Sequence, residues 1–420
     1  MTQLIDIDDL AAPRLDEAQQ AALAWGESVP VDFSEQAILD AARARTGLRD
    51  FGPDDFRERL KILREEWGGT AELTGLHRTV LHGYLVRYAS NRLLIHDLLS
   101  RHPQIRELEV VRPVIVVGLP RSGTTHAVNL LASDRRFHSL PLWESYEPLP
   151  LPGEAPLADG TDPRYQRCAQ AWAGMQRTIP LIAAMHPMHP DHIHEELELM
   201  GPDFASYNFE WLAHSPHWRD HYLSSDQTPH YQYLKDVLRI LQWQRGAAPR
   251  RWVLKCPQHL EQLPVLKRVF PDATIVVTHR DPVAVIQSIL TMQGYTQRIH
   301  RRRVALDALL EYWPARVERL LRACLRDRAL FGASSSIDVP FQVIVSDPMP
   351  TLERIYERAG LELDRTTRAR LGRYLDDHPR GKEGQVRYHL ERDFGVSPAA
   401  MRRRFDFYFE RFAVQVESGT

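Results

Sequence analysis

Apolar positions in the first hundred residues recur at helical spacing. After Pro53, Phe56, Leu60, Leu63 and Trp67 fall at 4-3-4 intervals, on one face of a helix that Gly68-Gly69 closes. Upstream, Ser34 can cap a helix running through Ile38 and Leu39 to Gly47. Leu73, Leu76, Val80, Tyr84 and Tyr88 open a third stretch that continues through Leu94 and Leu98 to His102-Pro103. Each stripe reads as a packing face, so residues 1–110 are expected to form an N-terminal helical region.

The pattern changes at Arg112. Val114-Ile115-Val116-Val117 is a short β-branched run, followed by a Gly/Pro turn and a helical stretch, Thr125 to Ala132. Trp252-Val253-Leu254, Thr274-Ile275-Val276-Val277 and Phe341-Gln342-Val343-Ile344-Val345 repeat the style, each with a helical pattern after it. Continuous apolar strands alternating with helices predict an α/β core with a parallel sheet covered on both faces. This core is expected to fill residues 111–420. It carries an insert at about 140–250, rich in Pro, His, Trp and Tyr, placed where long loops build substrate caps. A basic loop and an aromatic helix around Phe405, Tyr408, Phe409 and Phe412 are expected over 376–420.

Composition narrows the function classes. The chain has 420 residues with 53 Lys and Arg against 55 Asp and Glu, a net charge of −2. A surface that binds nucleic acid along its length needs a net basic footprint, so no nucleic-acid partner is expected. Three widely spaced cysteines (Cys168, Cys256, Cys324) form neither a disulfide framework nor a CxxC site, which suits a reducing compartment. The N-terminus MTQLIDIDDL lacks a basic n-region and an apolar h-region, and no apolar run approaches the ~20 residues of a membrane span. A cytoplasmic protein without a transmembrane segment is the expectation; nothing in the sequence speaks to its oligomeric state.

The chemistry concentrates in Gly118-Leu119-Pro120-Arg121-Ser122-Gly123-Thr124-Thr125, between the first strand and its helix. A loop of this kind turns successive N–H groups inward, and the helix behind it adds its positive end, so the segment suits a phosphate cradle. The GxxxxG spacing matches a Walker A loop, but Thr124 stands where that motif has lysine. Fixed charge comes instead from Arg121 within the loop. A second element, Thr278-His279-Arg280-Asp281-Pro282, leaves a strand end and opens a helix. Asp281 can cap it, Pro282 suits its first position, and Ser288 lies two turns in, where its hydroxyl can share a phosphate with Arg280.

PRSGTT after a VIVVG strand resembles the 5′-phosphosulfate-binding loop of sulfotransferases that use 3′-phosphoadenosine 5′-phosphosulfate (PAPS). The Arg-containing form is similar to tyrosylprotein sulfotransferases and a bacterial branch of the family. The Arg280…Ser288 pair is similar to the family's 3′-phosphate element. Thr46 to Gly52, Leu142-Trp143-Glu144, Trp252 to Pro257 and Arg387 to Gly395 stand in the family's order, with Cys256 where many relatives have serine. The resemblance implies a P-loop-like parallel sheet flanked by helices. It implies PAPS as sulfuryl donor, with Arg121, Ser122, Gly123, Thr124, Thr125, Arg280 and Ser288 as binding residues and no metal required. Arg380 and Lys382 resemble a late basic loop over the 3′-phosphate. Lys255, ending a strand, is expected to stabilise the leaving-group oxygen. Glu144 stands near a catalytic glutamate of tyrosylprotein-type enzymes and is a candidate general base; His259 and the pair His194-Glu195 are its rivals.

Sulfuryl transfer to a hydroxyl (or amine) of a small molecule, lipid or glycoconjugate is therefore the leading expectation. A nucleotide-dependent kinase could use the same cradle, although it would lack the Walker lysine. His186, His189, His192 and His194 could serve a zinc-dependent hydrolase, but Pro187 and Pro190 break the helical spacing. A catalytically silent nucleotide-binding scaffold is the non-enzymatic alternative. The basic run Arg298 to Arg303 reads as a solvated helix face able to help recruit a polyanion.

Overall fold

The structure is a computed structural model that describes residues 3–246, 250–379 and 382–417. Among the described residues seven strands are found: β1 (Leu4–Ile5), β2 (Val114–Gly118), β3 (Phe137–His138), β4 (Arg251–Lys255), β5 (Thr274–His279), β6 (Ser336–Pro340) and β7 (Gln385–Val386). Five of them form one sheet in the order β3-β4-β2-β5-β6, with every pairing parallel. The fold is α/β, with helices on both faces of this sheet. The chain leaves β2 towards β3 and returns through the insert to lay β4 beside β2. It then crosses to place β5 on the other side. The strand order therefore reverses at β2, and such a switch opens a crevice at the carboxyl ends of the strands.

Burial explains why β2 and β5 were legible. Every residue of both strands is buried, since helices cover each face. The fourth predicted strand is corrected: Phe341–Ser346 is a helix, and the edge strand lies just before it at Ser336–Pro340. Ile337 and Val339 face the core, while Asp338 points outward to Arg328 and His279. An edge strand with one polar face alternates and shows no apolar run. The run that does appear puts only Ile344 into the core.

The N-terminal helices begin and end on the signals read from the sequence. Ser34 Oγ accepts from Ala37 N ahead of helix Glu35–Thr46, and Gly47 closes it at φ +70°. Helices Phe56–Gly69 and Gly75–Arg101 follow, together with an unanticipated helix Glu17–Ser28. They share one apolar core with the insert: Phe56, Leu60, Trp67 and Tyr88 pack with Phe204, Phe209 and Trp218. Arg59 and Arg92 both donate to Asp203 Oδ1, at 2.9 Å each. In the basic run Arg298 is buried and paired to Asp9, while Arg302 and Arg303 are exposed, Arg302 pairing with Glu27; both pairs are at 2.8 Å. No helix among the described residues is long and apolar enough to cross a membrane.

Candidate active site

Parallel register brings the strand ends together. Val116 of β2 lies opposite Lys255 at the end of β4, and Gly118 lies opposite Thr278 of β5. The loop after β2 turns sharply, with Arg121 at φ +66° and Gly123 at φ +86° before helix Thr124–Ala132. Glycine is needed at 118 because a Cβ there would stand 2.0 Å from Thr278 Oγ1. Ser122 is buried; its hydroxyl meets Thr278 Oγ1 at 2.7 Å and caps the Leu119 carbonyl at 2.6 Å. Ser122 therefore holds the loop's shape, while Gly123, Thr124 and Thr125 line a cavity of about 380 Å³. The first-turn N–H groups of a helix have no intrahelical acceptor, and here that turn lines the cavity.

Arg121 holds the left-handed conformation of a non-glycine residue, a strain of ~1–3 kcal/mol that persists only where the surroundings over-determine it. Here they do. Its Nε donates to Ser288 Oγ at 3.1 Å, a second nitrogen donates to the Met185 carbonyl, and its own carbonyl accepts from Arg280 at 2.6 Å. Asp281 caps helix Pro282–His300 through Val283 N at 2.9 Å, which fixes both Arg280 and Ser288. The Arg280 guanidinium lies 4.0 Å over the Phe341 ring and is held by both carboxylate oxygens of Glu417, at 2.7 and 2.8 Å.

Lys255 is fully buried. Its Nζ donates to Thr125 Oγ1 at 3.3 Å and to Glu195, which lines the same cavity. Its backbone N–H donates to Glu196 at 3.1 Å, so the insert supplies a carboxylate to each end of this residue. Around it stand imidazoles kept neutral. Burial, and then the charges of Lys255 and Arg121, hold His186 down to about 3. Burial likewise carries His192 and His194 well below the usual histidine range. His194 lines the cavity, and its Nδ1 has no hydrogen-bond partner among the described residues.

Comparison with known proteins accounts for this geometry. A profile of the sulfotransferase family matches residues 113–365. The chain belongs to that family. It is 25% identical over 283 residues to omega-hydroxy-beta-dihydromenaquinone-9 sulfotransferase Stf3 of Mycobacterium bovis, covering 66% of this chain and 70% of that protein. The crystal structure of sulfotransferase STF9 from Mycobacterium avium superposes with a TM-score of 0.80 at 25% identity, over 93% of this chain and all (100%) of that one. For STF1 of Mycobacterium tuberculosis H37Rv the TM-score is 0.75 at 26% identity, over 89% and 98% of the two chains. Family membership sets this sulfotransferase apart from the kinase, hydrolase and scaffold alternatives.

The sulfotransferase fold assembles some of the singled-out residues and disperses others. Arg121, Gly123, Thr124, Thr125 and Arg280 line the cavity, with Lys255 and Ser288 joined to it through Thr125 and Arg121. Glu144 is not among the lining residues; it sits in the short helix Leu142–Tyr146, ion-paired with Arg245. His259 is buried beneath the site, with Nδ1 2.8 Å from Tyr231 OH. Lys382 is exposed in a turn outside the cavity lining, and Arg380 lies outside the described residues. The histidine run does not converge as a metal site. Among the described residues, the trio with ligand atoms within 4.8 Å of one another is Glu196, Cys256 and His259.

Two contacts of Arg280 escaped sequence reading. Phe341 under Arg280 was assigned to a strand, and Glu417 on Arg280 sits in the tail, 137 residues away. The alternation of Ser336 to Pro340 was the signal that could have placed Phe341 at a strand's carboxyl end.

Proposed function

We propose that this sulfotransferase moves a sulfuryl group from PAPS to the hydroxyl of a largely apolar acceptor, in line and without a metal clamp. The residues fit such a donor. Two guanidinium groups, Arg121 and Arg280, stand beside the N-terminal turn of helix Thr124–Ala132, matching a ligand with separate 5′- and 3′-phosphate positions. Arg280, stacked on Phe341, and Ser288 would hold the 3′-phosphate. The loop from Arg121 to Thr125 would hold the phosphosulfate. PAPS supplies an electron-poor sulfuryl group and a phosphate leaving group.

The observation that carries the reading is Lys255 Nζ. It is wholly buried between Thr125 Oγ1 of the phosphate loop and the carboxylate of Glu195. A cation there neutralises charge developing on the leaving phosphate oxygen, in a dry site where that interaction is strong. Glu195, on the cavity wall, would take the acceptor hydroxyl's proton, with the neutral His194 imidazole beside it on the same wall. Glu144 lies outside the cavity lining, which speaks against it as the base. The cavity's Ile179, Ile182, Leu197, Trp211 and Met292 supply an apolar wall for the acceptor.

Calorimetry tests the donor. 3′,5′-ADP should bind without Mg²⁺, and Arg280→Ala should weaken it about 10- to 100-fold, the loss of one charge-assisted contact pair. The same change should barely alter 5′-AMP binding. Tighter binding of ATP with Mg²⁺ than of 3′,5′-ADP would sink the proposal.

A further inference from the structure

A second apolar space adjoins the site. A groove of about 750 Å³ runs between helices Glu17–Ser28, Gly75–Arg101 and Pro163–Thr178. Tyr84, Met175, Ile179, Met188, Trp211 and Leu212 line both this groove and the cavity at the phosphate loop, so the two share a wall. Trp25, 55% exposed, and Val80, 40% exposed, mark its solvent side.

Two glycines lie on the groove wall. Gly83 and Gly174 lie in helix interiors, where glycine is disfavoured, and neither has positive φ. Neither is forced by close packing. A Cβ on Gly83 would meet nothing within 4 Å, and one on Gly174 would meet only the flexible end of Arg177, at 3.8 Å. At both positions the space a side chain would take belongs to the groove. Most charged groups on its wall are already paired: Glu147 with Arg45 and with Arg167 (2.7 Å), Arg164 with Asp162 (2.7 Å), and Arg87 with Glu198 (2.7 Å), while Arg177 has no ion pair among the described residues. An uncharged apolar chain can lie along this wall without breaking any of these pairs.

We infer that this groove binds the tail of the acceptor, which is a long, uncharged, apolar chain whose terminal hydroxyl reaches the cavity beside Glu195 and Lys255. The inference rests on the sulfuryl-transfer reading for the reacting end only. Recognition is by burial of the chain, so affinity rises with its length until the groove is filled. Gly83 and Gly174 are specificity-determining positions, because a long side chain there occupies the path of the tail.

The experiment uses 1-butanol, 1-octanol and 1-dodecanol as probes. Sulfuryl transfer from PAPS is followed by 3′,5′-ADP release, and binding by the fluorescence of the lining tryptophans in the presence of 3′,5′-ADP. In the unaltered protein, binding should tighten about fourfold per added CH₂, the factor that ~0.8 kcal/mol per buried methylene represents. Gly83→Leu with Gly174→Leu should cost dodecanol at least tenfold, while butanol and 3′,5′-ADP binding stay within twofold. Gly83→Ala, which favours the helix but leaves the groove open, should keep the length dependence. A flat response to chain length, or equal loss of butanol and dodecanol with 3′,5′-ADP binding intact, overturns the groove. If fluorescence shows length-dependent binding lost on filling, while no sulfuryl transfer or 3′,5′-ADP binding is seen, the groove stands and the donor reading falls.

Discussion

Arg316 and Lys255 are both buried cations paired with carboxylates, yet their surroundings differ. Arg316 Nε meets Glu210 at 2.9 Å, and its two terminal nitrogens hold Glu261 at 2.8 and 2.5 Å, while Tyr312 donates to Glu210 as well. Each of the three guanidinium nitrogens thus meets a carboxylate, although Arg316, Glu261 and Tyr312 also border a groove. Lys255 has one carboxylate, one hydroxyl and a cavity whose walls hold both partners. A cation with a carboxylate on every nitrogen rigidifies the fold, and one shared between a single carboxylate and a hydroxyl of the loop after β2 is positioned to act. Burial is common to the two; completeness of pairing separates structure from chemistry.

The largest effect should come from breaking the complete network. Arg316→Met leaves two buried carboxylates unpaired and should cost about 3–5 kcal/mol of stability, read as a lowered urea midpoint. A loss below ~1 kcal/mol would erase the distinction drawn between the two cations. Lys255→Ala should act on rate instead, lowering kcat by about 10²–10³-fold with a smaller midpoint shift than Arg316→Met. Glu195→Gln should lower kcat by about 10²-fold, and Glu144→Gln should leave it nearly unchanged. The reverse ranking of the two glutamates would return the base to Glu144.

Acid should next expose the neutral imidazoles. His186 is held down to about 3, and His77 and His138 to about 4, each chiefly by burial. Between those values and 6.5 the unfolded chain binds protons that the folded protein does not, so stability falls as pH falls through that window. Urea midpoints measured from pH 7 to 4 check this; a flat profile would show that these histidines titrate normally. The smallest effect is expected at the tail. Glu417→Gln removes the carboxylate that holds Arg280, and 3′,5′-ADP affinity should rise by a few-fold, up to the ~1 kcal/mol such a partly exposed pair is worth. Weaker binding in that variant would mean that Glu417 positions Arg280 rather than competing for it.

Much of the phosphate side was legible because its partners are near in sequence. The turn, the helix start and the cap at Asp281 are each set by a handful of consecutive residues. The edge strand was missed because its outward face is polar. Glu144 attracted attention by its spacing from Arg121, yet the helix carrying it turns it to Arg245. Glu195, held only as a rival in the sequence, is the acid that meets Lys255.

By itself, then, the sequence determined the parallel α/β core, the loop from Gly118 to Thr125 and the Arg280…Ser288 element, since these follow from local backbone geometry and strand-length burial. Only the tertiary structure decided which carboxylate faces Lys255, which aromatic ring underlies Arg280 and where the apolar space opens. Those are contacts between segments 60 to 137 residues apart, and the N-terminal helices and insert that wall the groove carry only packing periodicity, which says which face is buried but not against what.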